Sequence, residues 1–290
     1  MIGSDIYNKS FWGKGACNDI GWGIIYKPFS GCESFLLDDY PNIAGNSYSL
    51  RNLTSTTTNV IRVRRSSDNA EQDFTATDIT DGTLTTFCGL GQDGFVVKWY
   101  DQTGSDDLKN ATALQQPKIV EGGFVILENG KPCVKFDGGN DSLFVDLTDQ
   151  TRNGYQAFMV NQQTDTASIF AQYVYTLGDT ENNSFRWKGS KLILRGKADL
   201  FTPAAANPPQ SLYYNISTAN GKNSKIHING TNVATGNISA TFTKKVYLGD
   251  DGNGSGNSAI KMQEFILYFS NIETVVGDIT SNINNYYSIY

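Results

Sequence analysis

Six carboxylates fall in segments that read as loops between strands: Asp101, Asp179, Glu181, Asp199, Asp250 and Asp251. Hydrolysis of a glycosidic bond uses two such groups, one as acid and one as base or nucleophile, held roughly 5 to 9 Å apart. Aromatic residues accompany them along the chain, namely Trp99, Tyr100, Trp187 and Phe201. Exposed rings stack on sugars, whereas buried ones fill a sandwich core. From this set the expected carbohydrate-binding residues are Tyr100, Asp101, Trp187, Asp199, Asp250 and Asp251. In a catalytic site the reactive groups would be Asp250, Asp251 and Glu181.

Other chemistries have less support. His227, the sole histidine, lies in KIHING beside a hairpin turn and reads as an exposed strand residue. One histidine excludes multi-His metal sites, and read as an exposed strand residue it is not expected to serve a His-based triad. The loop GDDGNGSGNS at 249–258 places Asp251, Asn253 and Ser255 at alternating positions, as a calcium loop does. The twelfth position of that register is Met262 instead of a bidentate Glu, so a flexible Gly-rich loop is the expected reading. Cys17, Cys32, Cys88 and Cys133 show no CxxC spacing and read as free thiols. No metal and no cofactor is expected.

These residues need strands to hold them. Segments such as GFVVKWY, YQAFMVNQ, SFRWKG, SLYYNI and IKMQEFILYF follow one another from residue 94 onward. Hairpin signals join several of them, ENGK at 128–131, WKGSK at 187–191 and INGT at 228–231, where Asn or Gly accepts a positive φ. Many strands with close turns indicate a sandwich. In IRVRRSSDNAEQDF at 61–74 the arginines alternate with Val and Ile, which reads as a strand edge. Arg62, Arg64 and Arg65 are expected to pair with Asp68, Glu71 or Asp73 and hold the turn. NSYSLRNL, with Tyr48, Leu50 and Leu53, reads as a short helix, and IETVVGDITSNINNYYSIY as a C-terminal one. Residues 1–45 form an expected docking or oligomerisation segment around Trp12, Trp22 and Tyr26, and residues 46–290 the sandwich domain.

The 290 residues suit one large domain, and with 39% hydrophobic, 12% aromatic and 18% charged residues they favour strands over helices. A net charge of −6 argues against binding a phosphate backbone. The N-terminus has no apolar signal region, and no run of about 18 apolar residues occurs, so synthesis in a cytoplasm without membrane insertion is expected.

The run YSLRNLTSTTTNVIRVRRSSDNAEQDF, the FCG at 87–89 and VVKWYDQTGSDDLKNATALQQPKIV resemble the N-terminal part of the α-L-arabinofuranosidase B catalytic domain. That family is a concanavalin A-like jelly-roll sandwich. The same block, with FLLDDYP before it and ILENGKPCVKFDGGND after it, resembles virion proteins of tailed bacteriophages of Bacteroidetes-type hosts. SKIHINGTNVATG through YLGDDGNGSG to QEFILYFSNIE looks like laminin-G and lectin-like variants of the fold. The resemblance implies a nucleophilic Glu after Ala-Asp-Leu, yet KADLF at 197–201 has Phe201 there, while Asp250 or Asp251 matches the acid/base. It also implies an adjacent cysteine pair, which Cys88 lacks.

A missing carboxylate removes the two-carboxylate mechanism but leaves a groove able to bind sugar. The resemblance therefore implies a non-catalytic, lectin-like virion subunit: a fibre, decoration or receptor-binding protein. Its expected partners are other virion proteins at the N-terminal segment, a host-surface glycan, and copies of itself, with a trimer favoured. The alternative is an arabinofuranosidase-like glycoside hydrolase acting on surface polysaccharide.

Overall fold

The computed structural model describes residues 35–40, 44–104, 106–147, 152–165, 170–178, 183–203, 209–218, 222–238, 241–242, 245–254 and 256–290. Trp12, Trp22, Tyr26, Cys17, Cys32, Asp179 and Glu181 lie outside these residues.

Helix α1 (Leu36–Asp39) precedes β1 (Ala44–Ser49), β2 (Ile61–Arg65) and β3 (Glu71–Phe74). Helices α2 (Ala76–Thr80) and α3 (Thr83–Cys88) lead into β4 (Gly94–Trp99), β5 (Leu108–Lys109), a 3₁₀ turn (Ala113–Gln115) and β6 (Lys118–Glu121). Short pairs follow, β7 (Phe124–Val125), β8 (Leu127–Glu128) and β9 (Lys131–Pro132), then β10 (Val134–Asp137), β11 (Leu143–Asp146) and β12 (Arg152–Asn153). The middle of the chain forms β13 (Tyr155–Gln163), β14 (Ala171–Leu177), β15 (Ser184–Lys188), β16 (Lys191–Arg195) and β17 (Asp199–Phe201). It continues with β18 (Ser211–Ser217), β19 (Ser224–Ile228), β20 (Thr231–Gly236), β21 (Thr241–Phe242), β22 (Lys245–Leu248) and β23 (Ala259–Tyr268), and helix α4 (Val276–Tyr287) follows.

The strands build an antiparallel sandwich of the concanavalin A-like kind. One layer runs β3-β2-β4-β5-β11-β22-β14-β15-β16-β17. The other runs β6-β10-β23-β13-β18-β19-β20, with β1 beside β10 along the same edge of β23. Strand β4 belongs to both, because Gly94 and Phe95 pair with β6 while Lys98 and Trp99 pair with β5.

The two-residue period of a strand sorts the side chains. In β13 Ala157 and Met159 enter the core between the layers, together with Trp99, Tyr175, Phe185, Trp187 and Phe265. Phe158 and Val160 point the other way, where Leu36 and Leu37 of α1 and Ile279, Ile283 and Tyr287 of α4 cover them. Each large side chain so buried stabilises the fold by about 1.5 to 3 kcal/mol. Among the described residues no helix is long and apolar enough to cross a membrane.

The hairpin signals hold, with Asn129 at φ 48° and Gly130 at 71°, Gly189 at 57°, and Asn229 at 49° before Gly230 at 76°. NSYSLRNL is not a helix. Ala44–Ser49 pairs with β23, and fully buried Tyr48 packs against Trp99 and Phe265. Packing from a two-residue period wins there over weak helical spacing. Strand β2 is not an edge, since β3 and β4 flank it. Helices α2 and α3 carried no apolar run to betray them, but Thr75 begins a capping box: its Oγ1 accepts from Asp78 N at 3.1 Å, and Asp78 Oδ2 accepts from Thr75 N at 2.8 Å. His227 is half-buried instead of exposed, its ring 5.1 Å from that of Tyr214. The expected boundary between residues 45 and 46 falls within β1.

Candidate functional site

The loop from β22 to β23 carries Asp250 and Asp251. Gly249 opens it at φ 79°, and a Cβ there would stand 2.4 Å from the Phe136 ring, so only glycine fits. Asp250 Oδ1 then accepts from Gly254 N at 3.1 Å and Gly252 N at 3.3 Å, and Asp251 Oδ1 accepts from Asn253 N at 2.8 Å. The Asp250 carbonyl is anchored to β14 by Thr176 Oγ1 at 2.9 Å. Both carboxylates are nearly buried, at 8% and 5% exposure. Burial, then the hydrogen bond and charge of Asp251, push Asp250 up to about 6.

This loop lies on β14. Gly256 O accepts from Tyr173 N at 3.1 Å, and Gly256 sits so close to the Tyr173 ring that a Cβ would come within 2.3 Å of it. Strand pairing places Tyr173 opposite Arg186, Arg186 opposite Ile193, and Ile193 opposite Phe201, one row on a single face. Arg186 donates to the Tyr173 hydroxyl, lies over its ring at 5.0 Å, and sits 3.6 Å from Asp199 Oδ2. Arg195 Nε approaches Asp199 Oδ1 at 3.8 Å. Asp199, Asp250 and Asp251 are thus linked through Arg186, Tyr173 and Gly256. Phe201, 49% exposed, ends the same row with Lys191 Nζ 5.9 Å from its ring.

The other expected residues go elsewhere. Trp187 follows Arg186 on β15 and therefore points inward, where it is 3% exposed within the core cluster. Its ring is not a stacking surface, and the residue of SFRWK that reaches the site is Arg186. Alternation along that strand was the signal for it. Tyr100 and Asp101 line a separate cavity of about 350 Å³ beneath the threonines at 54–58. Asp101 is 8% exposed and engaged by its own chain: it accepts from Ser47 N at 2.8 Å, Thr103 Oγ1 at 2.7 Å, Thr103 N at 3.1 Å and Asn46 Nδ2 at 3.1 Å. Burial raises its pKa against these hydrogen bonds. It fastens β1 to the end of β4. Tyr100 donates to Asp73 Oδ1 at 2.8 Å with Lys98 Nζ 4.9 Å from its ring.

Among the described residues no group of three or more His, Cys, Asp or Glu could hold a metal ion. Cys88 and Cys133 are buried free thiols.

No protein-family model and no curated protein sequence matches the chain. Its fold is similar to that of solved GH54 α-L-arabinofuranosidases. A mutant soaked with 4-nitrophenyl α-L-arabinofuranoside superposes with a TM-score of 0.61 at 12% identity over 86% of this chain. A complex with arabinofuranosyl-α-1,2-xylobiose gives 0.61 at 13%, and an enzyme soaked with a cyclic sulfate inhibitor 0.62 at 13%. The matches cover 64% of the length of those enzymes. At this identity the likeness establishes the β-sandwich fold.

Proposed function

We propose that the chain is a non-catalytic carbohydrate-binding module whose site is the Asp250–Asp251 loop with Arg186, Tyr173 and Asp199. The observation that carries this reading is the connected cluster, in which a glycine-bound loop positions the nearly buried Asp250 and Asp251 while strand pairing positions the Arg186 guanidinium between Tyr173 and Asp199. Such groups match sugar hydroxyls in hydrogen-bonding capacity. The likeness to enzymes solved with arabinofuranosides supports a furanose or pentose-containing glycan. Against hydrolysis stands Phe201, an apolar ring where the resemblance implies the nucleophile. Glycan-array screening with titration of the hits tests the reading. Binding lost in Asp251→Asn, with the fold intact by circular dichroism, supports it, and unchanged binding overturns it.

Following the sequence resemblance, the module belongs to a bacteriophage virion as a fibre, decoration or receptor-binding subunit. There residues 1–45 dock it, and a trimer multiplies weak affinity for a host-surface glycan. Antibody labelling of intact particles and light scattering of the purified protein test these points.

One observation favours the alternative arabinofuranosidase reading: Asp250 is pushed up to about 6, as a general acid is. Turnover of an aryl arabinofuranoside that disappears in Asp250→Asn would replace the binding reading with it.

A further inference from the structure

The three arginines of β2 have different fates. Arg62 pairs with Glu71 at 2.8 Å and Asp73 at 2.9 Å, and Arg65 with Asp68 at 2.7 Å. Arg64, only 9% exposed, donates to three neutral oxygens: Gln116 Oε1 at 2.8 Å, Asn69 Oδ1 at 2.8 Å and Ala113 O at 3.0 Å. Among the described residues it has no ion pair. A nearly buried cation held only by neutral acceptors is costly unless an anion joins it. Burial depresses the Arg64 pKa, and Glu71 is the charge that opposes this.

Arg64 also faces a cavity. A hollow of about 410 Å³ opens where β2 and β4 meet β6 and β10, within the range of roughly 300 to 1,000 Å³ usual for small-molecule sites. Phe95 forms one wall, its ring 4.6 Å from the Arg64 guanidinium. Leu114, 84% exposed, stands at the rim. Lys118 and Lys135 also line it, but both are neutralised by Glu121, and Lys118 by Asp93 as well. On the far side are Asp137 and Asp141. The Asp141 carboxyl is 6% exposed and accepts from Asp137 N at 2.9 Å.

We infer that this cavity is a second saccharide site, one that takes a sugar bearing a carboxylate, with the acid group against Arg64 and hydroxyls toward Asp137 and Asp141. Arg64, without an ion pair among the described residues, calls for one negative charge at its own end of the cavity. The facing carboxylates repel a dianion such as phosphate more strongly than a monoanion, and they accept hydrogen bonds from hydroxyls. Burial and the charge of Asp137 push Asp141 up to about 7, so near neutrality it both donates and accepts. The apolar wall of Phe95 and Leu114 suits the C–H faces of a sugar ring. This site shares no residue with the Asp250–Asp251 cluster, although the segment at 137–142 borders both, since the Asp141 carbonyl abuts Gly249.

The test is an NMR titration of the whole chain with methyl-labelled leucine, using a galacturonate disaccharide, its methyl ester and a neutral galactose disaccharide. A charge-assisted hydrogen bond contributes about 1.5 to 3 kcal/mol, so the free acid should bind about tenfold or more tighter than the ester. The Leu114 methyl resonances should move with the acid, and Asp251→Asn should leave that response unchanged. Arg64→Gln should abolish the preference for the acid. If that variant fails to fold, the wild-type comparison of acid with ester still decides. Equal affinity for acid and ester, or binding without movement at Leu114, overturns the second site and leaves the reading of the Asp250–Asp251 loop standing.

Discussion

Arg51 and Glu264 form a two-toothed ion pair inside the protein, Nε to Oε2 at 2.8 Å and Nη2 to Oε1 at 3.2 Å, with Glu264 fully buried. Ser49 Oγ adds a hydrogen bond at 2.7 Å and the Tyr287 hydroxyl another at 3.3 Å. The Tyr286 ring lies 4.8 Å from the guanidinium. Together they fasten the end of β1, the centre of β23 and the end of α4. Removing one partner strands the other charge, so Glu264→Gln and Arg51→Leu should each destabilise by about 3 to 5 kcal/mol. Urea unfolding measures both, and the double variant should lose less than the sum of the two.

The Asp250 carboxyl makes stability depend on pH in the direction opposite to that of an ion-paired aspartate. Its folded pKa, about 6, lies above the ordinary aspartate value of 3.8, so the folded state holds the proton longer. Its contribution to stability is therefore largest in acid, falls as pH rises from about 4 to 6, and is flat above that. Asp250→Asn should lessen the fall of the melting temperature over this window, leaving the part due to Asp141, and raise it at pH 7. Scanning calorimetry across the range checks both.

The surface pairs of β2 should matter far less. The Arg62 side chain is 36% exposed, and Arg62→Ala should cost ~1 kcal/mol or less, diminishing in high salt. Arg64→Ala should cost more, because it opens a gap beside Gln116, Asn69 and Phe95. Paired chemical denaturation at low and high salt separates the two effects.

Thr75→Ala should destabilise by about 1 kcal/mol by removing the capping oxygen of α2, with Thr75→Ser restoring most of it. Equilibrium unfolding of the three proteins side by side measures the loss and its recovery.

Much of the architecture could be read from residue order, because side chains on strands obey a two-residue rule that packing reinforces. YQAFMVNQ and IKMQEFILYF were legible as strands, and Asn129, Gly130, Asn229 and Gly230 as turns. Ala76–Cys88 was not, since its helices rest on a local cap and one buried residue per turn. Tyr48, Leu50 and Leu53 misled because β23, more than 200 residues away, decides the conformation of β1. Of the candidate site, Asp199, Asp250 and Asp251 stood out in the sequence; Arg186 carried only the signal of alternation beside Trp187, and Tyr173 none, because strand pairing sets its neighbours. Trp187 drew attention by its type, although its place beside Arg186 turned it inward.

Strand β23 pairs with β1, β10 and β13, so the sandwich has its last strand at its centre. During synthesis the earlier strands must wait with open edges until residues 259–268 emerge from the ribosome. Folding of this layer is therefore dominated by contacts distant in sequence and completes late, which makes it slow. The exposed edges of β1, β10 and β13 are the surfaces a chaperone would have to shield from pairing with another nascent copy.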